Sequence, residues 1–151
     1  LYVLPDAVVS EHAALAETAK RAPRAVICLL SALNFHGITT QLPHETWIAL
    51  PRGAWHPRMD YPQINLTYMS GKAFSFGIEE HSLTGVSVKI FTPAKTVADC
   101  FKFRNKVGLD VAIEALRETW RSRKATMDEL LAAAKACRVS EVMRPYMEAA
   151  V

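Results

Sequence analysis

Residues 92–117, TPAKTVADCFKFRNKVGLDVAIEALR, constrain the fold of this chain more than any other stretch. Thr92 offers an N-cap hydroxyl, and Pro93 takes the first helical position, where its missing N–H leaves nothing unpaired. Gly108 then interrupts the pattern before a second helix begins. The spacing predicts a helix over 93–105 and another from 109 onward. At 100° per residue, Ala94, Val97, Ala98, Cys100 and Phe101 share a broad apolar face of the first helix. Lys95, Asp99 and Lys102 fall opposite, which makes Asp99 a solvated partner for the two lysines at helical spacing. Arg104 lies on the seam between Val97 and Cys100, where a guanidinium must snorkel out or find a buried acceptor. In the second helix Leu109, Ala112, Ile113, Leu116 and Trp120 form the inward face. Asp110, Glu114, Arg117, Glu118 and Arg121 form the outward one.

This stretch, with AVICLLSALNFHGITTQLP upstream and RVSEVMRPYMEA downstream, resembles the AbiEi family, the antitoxins and transcriptional regulators of abortive-infection type IV toxin–antitoxin systems. The resemblance extends from Leu1 to the end of the chain. It implies an effector domain that neutralises a nucleotidyltransferase-like toxin, acting on the toxin or its pathway. In AbiEi-like proteins a winged helix-turn-helix precedes this region and represses the operon. LYVLPD resembles the last strand of that wing, so residues 1–9 are expected to be the end of the winged domain with its linker, and 10–151 the antitoxin domain. A chain opening with Leu reads as a fragment or processed product. Contact with operator DNA is then expected of the upstream domain, and no residue here of a base edge.

The charge is uneven. Residues 1–92 carry 7 basic and 7 acidic side chains, and residues 93–151 carry 11 and 8, so the whole net charge of +3 lies in the second part. Lys102, Arg104 and Lys106 read as one positive corner that Arg117 and Arg121 continue, a candidate surface for a partner or a DNA backbone. An ordinary solvated helix face, with cations favoured near a helix C-terminus, fits the same pattern.

A second candidate lies in the long irregular stretch after the strand Thr46–Leu50, where Pro51, Gly53, Pro57 and Pro62 interrupt regular structure. Arg52, Trp55, His56 and Arg58 are expected to be exposed in it. Trp55 between two arginines suits a docking site, and equally a ring folded onto the sheet.

The rest of the pattern is α+β. A helix is predicted from Ser10 to Ala22, and a buried one over 25–35 with Val26–Ile27 as an extended lead-in and Gly37 as its left-handed cap. His36 beside that cap suits the helix dipole and the free carbonyls. Strands are predicted around Ile64–Tyr68, at Phe74 and Phe76, and in a hairpin of 78–83 with 86–91 turning at Thr84–Gly85. Together they make a small, mainly antiparallel sheet in the middle of the chain, with helices before and after. Thr126 and Glu129 form a capping box for a helix to about Cys137 with Met127, Leu130, Leu131 and Ala134 inward. Ser140 opens a last helix, bent or restarted at Pro145.

The remaining signals bear on chemistry and compartment. Cys28, Cys100 and Cys137 lie in apolar patterns with no paired spacing, as expected of buried thiols in a reducing, cytoplasmic compartment. No apolar run approaches the roughly 20 residues of a membrane span. None of the fifteen Asp and Glu residues stands two positions before a Lys, as restriction-type nucleases require, and Glu79–Glu80 on a strand point to opposite faces. His12, His36, His44, His56 and His81 lack metal-ligand spacing. No enzyme activity, metal or cofactor is expected. A different class of function also fits: a ligand-sensing or dimerisation domain of a regulator without a toxin partner, with the sheet and the Arg52–Arg58 loop framing a pocket.

Overall fold

A computed structural model describes residues 6–39 and 41–150. Of the LYVLPD stretch read as the end of a wing, residues 1–5 lie outside them. The chain runs α1 (Asp6–Arg21), β1 (Val26–Ile27), α2 (Leu29–Phe35), β2 (Thr46–Pro51), β3 (Ile64–Met69), α3 (Lys72–Ser75), β4 (Ile78–Leu83), β5 (Val86–Phe91), α4 (Pro93–Lys102), α5 (Arg104–Val107), α6 (Leu109–Arg121), α7 (Met127–Ala136) and α8 (Ser140–Ala150). The class is α+β, with the sheet in the middle of the chain and a helical C-terminal part.

The five strands stand in the order β3-β2-β1-β5-β4. The β1–β2 and β4–β5 pairs are antiparallel, and β2–β3 and β1–β5 are parallel. The β4–β5 hairpin turns where expected, with Thr84 and Gly85 both at positive φ, +49° and +80°. Two successive left-handed residues match the twist of the strands they join. The parallel β2–β3 pair explains the long irregular stretch: parallel strands cannot be joined by a tight turn and need a crossover of about a dozen residues. Here 52–63 provides it without a helix.

Strand alternation sorts side chains onto two cores. Val26, Trp47, Ala49 and Phe91 face the larger, which α4, α6, α7 and α8 complete. Ile27, Ile48, Leu50, Val88 and Ile90 face the smaller, closed by Leu15 and Ala22.

Several local expectations fail for reasons of packing. Phe74 and Phe76 do not form a strand: α3 is a single helical turn there, with Phe74 N–H donating to Gly71 O at 3.1 Å. Gly71 and Gly77 at positive φ, +57° and +75°, bend the chain on either side of it. The helix at 93 stops at Lys102 rather than 105, because Phe103 leaves helical geometry (φ −104°, ψ 33°) and caps α5. The inward face of α6 is rotated from the one read in the pattern. Ala112, Ala115, Leu116 and Thr119 are buried, whereas Leu109 is 39% exposed. In α7, Leu131 is 52% exposed and Ala133 takes its inward place. Finally, α8 continues through Pro145, with Met143 and Met147 buried.

Candidate functional site

The largest correction concerns α4. Every residue from Ala94 to Phe101 is buried, Lys95 and Asp99 included, because the helix packs among α2, α6, α7 and α8 as well as following the sheet. A helix enclosed on all sides has no solvated face, and the acid and base that spacing put on one pair directly with each other in the interior. Lys95 Nζ donates to Asp99 Oδ1 at 2.7 Å and to Oδ2 at 2.6 Å, with both side chains at 0% exposure. Nζ also lies 3.7 Å from the centroid of the Phe91 ring and 3.7 Å from Met69 Sδ. Cys137 Sγ–H donates to Asp99 Oδ1 at 3.5 Å. The pair thus ties α4 to β3, β5 and the end of α7. Gly77 belongs to this arrangement, since a Cβ there would lie 2.8 Å from Lys95 Cβ.

Burial pushes the Asp99 carboxyl above the usual aspartate range, against the opposing pull of the Lys95 ammonium. Burial likewise raises all three thiols, Cys137 to about 12. Enclosed, protonated thiols are poor nucleophiles.

On the other side of the sheet, His36 Nε2 lies 2.7 Å from Phe91 O. The ring reaches across to a strand carbonyl rather than back to its own helix. Phe35 stands between His36 and His81, with ring centroids 5.3 and 4.8 Å away. His81 Nε2 is 3.3 Å from Glu79 Oε1. Burial lowers the His36 pKa from its ordinary value of 6.5. Among the described residues no group of three or more His, Cys, Asp or Glu is placed to hold a metal ion.

Each residue of the predicted positive corner has contacts of its own. Arg104 Nη1 donates to Phe101 O at 2.8 Å, so its seam position is resolved by capping a free carbonyl at the end of α4. Lys106 Nζ turns toward the sheet, donating to Thr67 Oγ1 at 2.7 Å and Leu66 O at 3.3 Å, 5.3 Å from the centroid of the Trp47 ring. Partial burial lowers its pKa. Arg121 is held by Glu118 at 2.6 and 2.9 Å. It lines a 400 Å³ cleft between the α2–β2 connection and α6, whose other charged groups are Asp110, Glu114 and Glu118. Arg117 remains exposed, but this side of α6 is mixed in charge rather than basic.

Lys102 belongs to a different grouping. It lines a 640 Å³ cleft with Lys72, Lys135 and Arg138. The packing of α3, α4 and α7 brings Lys72 and Lys102, 30 positions apart, beside the neighbouring pair Lys135 and Arg138, another 33 positions on, and no spacing rule connects the three segments. Arg138 takes the left-handed position (φ +59°) that ends α7.

In the 52–63 crossover, Arg52, Trp55, His56 and Arg58 are exposed, and Trp55 is 93% so. The ring is therefore not folded onto the sheet. The backbone that presents it is braced: Arg52 N–H donates to Met69 O at 3.1 Å, Ala54 N–H to Pro51 O at 3.1 Å, and Tyr68 Oη–H to Ala54 O at 3.2 Å. The 340 Å³ cleft beside this segment is lined by Asp60, Tyr61, Pro62 and Gln63 among others, and Arg52, Trp55, His56 and Arg58 take no part in it.

No helix of the described residues is long and apolar enough to cross a membrane. No family model matches the chain, and no curated protein matches it significantly.

Proposed function

We propose that this chain is the effector domain of an AbiEi-like antitoxin, acting by binding a macromolecular partner rather than by catalysis. The partner is a nucleotidyltransferase-like toxin or a component of its pathway, and operator DNA is left to a winged domain preceding this one. The observation that carries the binding reading is Trp55. A tryptophan exposes a large apolar surface to water at a cost of about 25 cal/mol per Å², which covering by a partner recovers. Trp and Arg are the side chains most enriched among those that dominate interface energies. Here Arg52 and Arg58 flank Trp55 in the sequence, and the backbone leading to it is braced through Ala54, which lowers the ordering needed on binding.

The resemblance to AbiEi proteins supports the choice of partner. It is densest over 92–117, which in this fold is the central helix α4 and its neighbour α6. Similarity there speaks for a shared scaffold, and the partner-contacting surface is carried separately by the crossover.

The test is co-expression of this chain with a nucleotidyltransferase-like toxin encoded beside it, scored by growth. Rescue by the chain, without change in toxin transcript level, is the expected result. Failure to rescue while the chain accumulates as folded protein would remove the antitoxin assignment.

A further inference from the structure

The cleft between α3, α4 and α7 carries a separate inference, independent of the antitoxin reading. Its charged lining is entirely cationic: Lys72, Lys102, Lys135 and Arg138. All four side chains are exposed, and among the described residues none of them forms an ion pair. Asp99, one turn before Lys102, is sealed in the interior and paired with Lys95, so among the four it acts on Lys102 alone, and only at a distance. Four like charges around one concavity raise the local positive potential, which draws anions into it.

One alternative is that the cations serve the helix dipoles, since Lys102 and Lys135 lie in the last turns of α4 and α7. Each helix C-terminus carries about half a negative charge. Two of them offset about one of the four positive charges, leaving a surplus of about three. Lys72 at the start of α3 has no such role, and Arg138, just past the Cys137 cap, shares the α7 terminus with Lys135.

We propose that this cleft binds a nucleoside triphosphate. Its 640 Å³ lies within the ordinary range for small-molecule sites and accommodates a nucleotide. The surplus charge suits a chain of phosphates. Phe76 and Ala132 in the lining offer an apolar surface for a base, and the Ser70 hydroxyl is an additional donor. The four cations line a single cleft, and a compact polyphosphate fills such a cleft where an extended nucleic-acid backbone would need a continuous track.

The test is calorimetric titration of the full chain with the four ribonucleoside triphosphates as magnesium salts. Inorganic tripolyphosphate and a single-stranded RNA oligonucleotide are titrated in parallel. The expected result is saturable, salt-sensitive binding of at least one triphosphate, several-fold tighter than tripolyphosphate. Lys135→Ala combined with Arg138→Ala should weaken it at least tenfold, while Lys20→Ala, on α1, leaves it unchanged. Both variants alter exposed side chains, and an unchanged melting midpoint establishes that they fold. Tripolyphosphate binding as tightly as the nucleotides would overturn the nucleoside assignment. Binding of the oligonucleotide alone, absence of saturable binding, or unaltered affinity in the folded double variant would overturn the site. A dipole role predicts that last outcome, with a lowered melting midpoint.

Discussion

Replacing Lys95 by Met tests the enclosed pair on which α4 depends. The substitution keeps an unbranched side chain of similar length but leaves the Asp99 carboxyl at 0% exposure with the Cys137 thiol as its nearest donor. Removing one partner of a buried ion pair costs about 3–5 kcal/mol, because the remaining charge must be neutralised or left unpaired. Against a total stability of about 5–15 kcal/mol for a domain, that is a large share. With a urea dependence of about 1–3 kcal/mol per M, the unfolding midpoint should fall by about 2 M. Replacing both partners, Lys95→Met with Asp99→Leu, removes the uncompensated charge and should recover most of the loss, or exceed the parent by up to about 1–4 kcal/mol. Equilibrium urea unfolding of the parent, both single variants and the double variant closes the cycle. A Lys95→Met midpoint equal to that of the parent would refute the reasoning, as would a double variant less stable than either single one.

Other consequences follow from particular contacts. Leu116→Ala, at 1% exposure, should lose about 2–5 kcal/mol, whereas Leu131→Ala, at 52%, should stay within about 0.5 kcal/mol of the parent by thermal unfolding. Gly77→Ala combines a positive φ with a 2.8 Å approach to Lys95 Cβ and should lose more than about 1 kcal/mol in the same assay. His36 is held below 6.5 in the folded state, so the unfolded chain takes up the proton first. Its contribution is complete above about pH 6.5 and is lost as pH falls toward the folded value, a slope that His36→Asn should remove from a stability–pH profile. Cys28, Cys100 and Cys137 are buried with raised pKa values and should resist alkylation at neutral pH until denaturant is added, as followed by mass spectrometry.

What the residues reveal locally, the structure keeps. Thr92 accepts from Lys95 N–H and Pro93 begins α4, and Thr126 with Glu129 forms the reciprocal box that opens α7. The Thr84–Gly85 turn closes the hairpin. Each of these is decided within four residues, so no distant neighbour is needed to read it. Asp99 shows where such reading ends. Its spacing from Lys95 is the same whether the helix face meets water or α7, and only the packing of later helices decides. The parallel β2–β3 pair and the cleft of Lys72, Lys102, Lys135 and Arg138 have the same origin, since both depend on segments far apart in the chain. Trp55 was legible as exposed-loop or sheet-covering only, because the path of a crossover is set by the strands it joins.

The proposal that this domain works through its crossover is tested most directly by Trp55→Ala combined with Arg52→Ala and Arg58→Ala in the growth-rescue assay. These side chains are exposed, so the melting midpoint should be unchanged. Loss of a dominant contact of about 2 kcal/mol or more weakens binding by about 30-fold. The account predicts a folded protein at normal abundance that no longer protects the cell. Full rescue by that folded variant would contradict it.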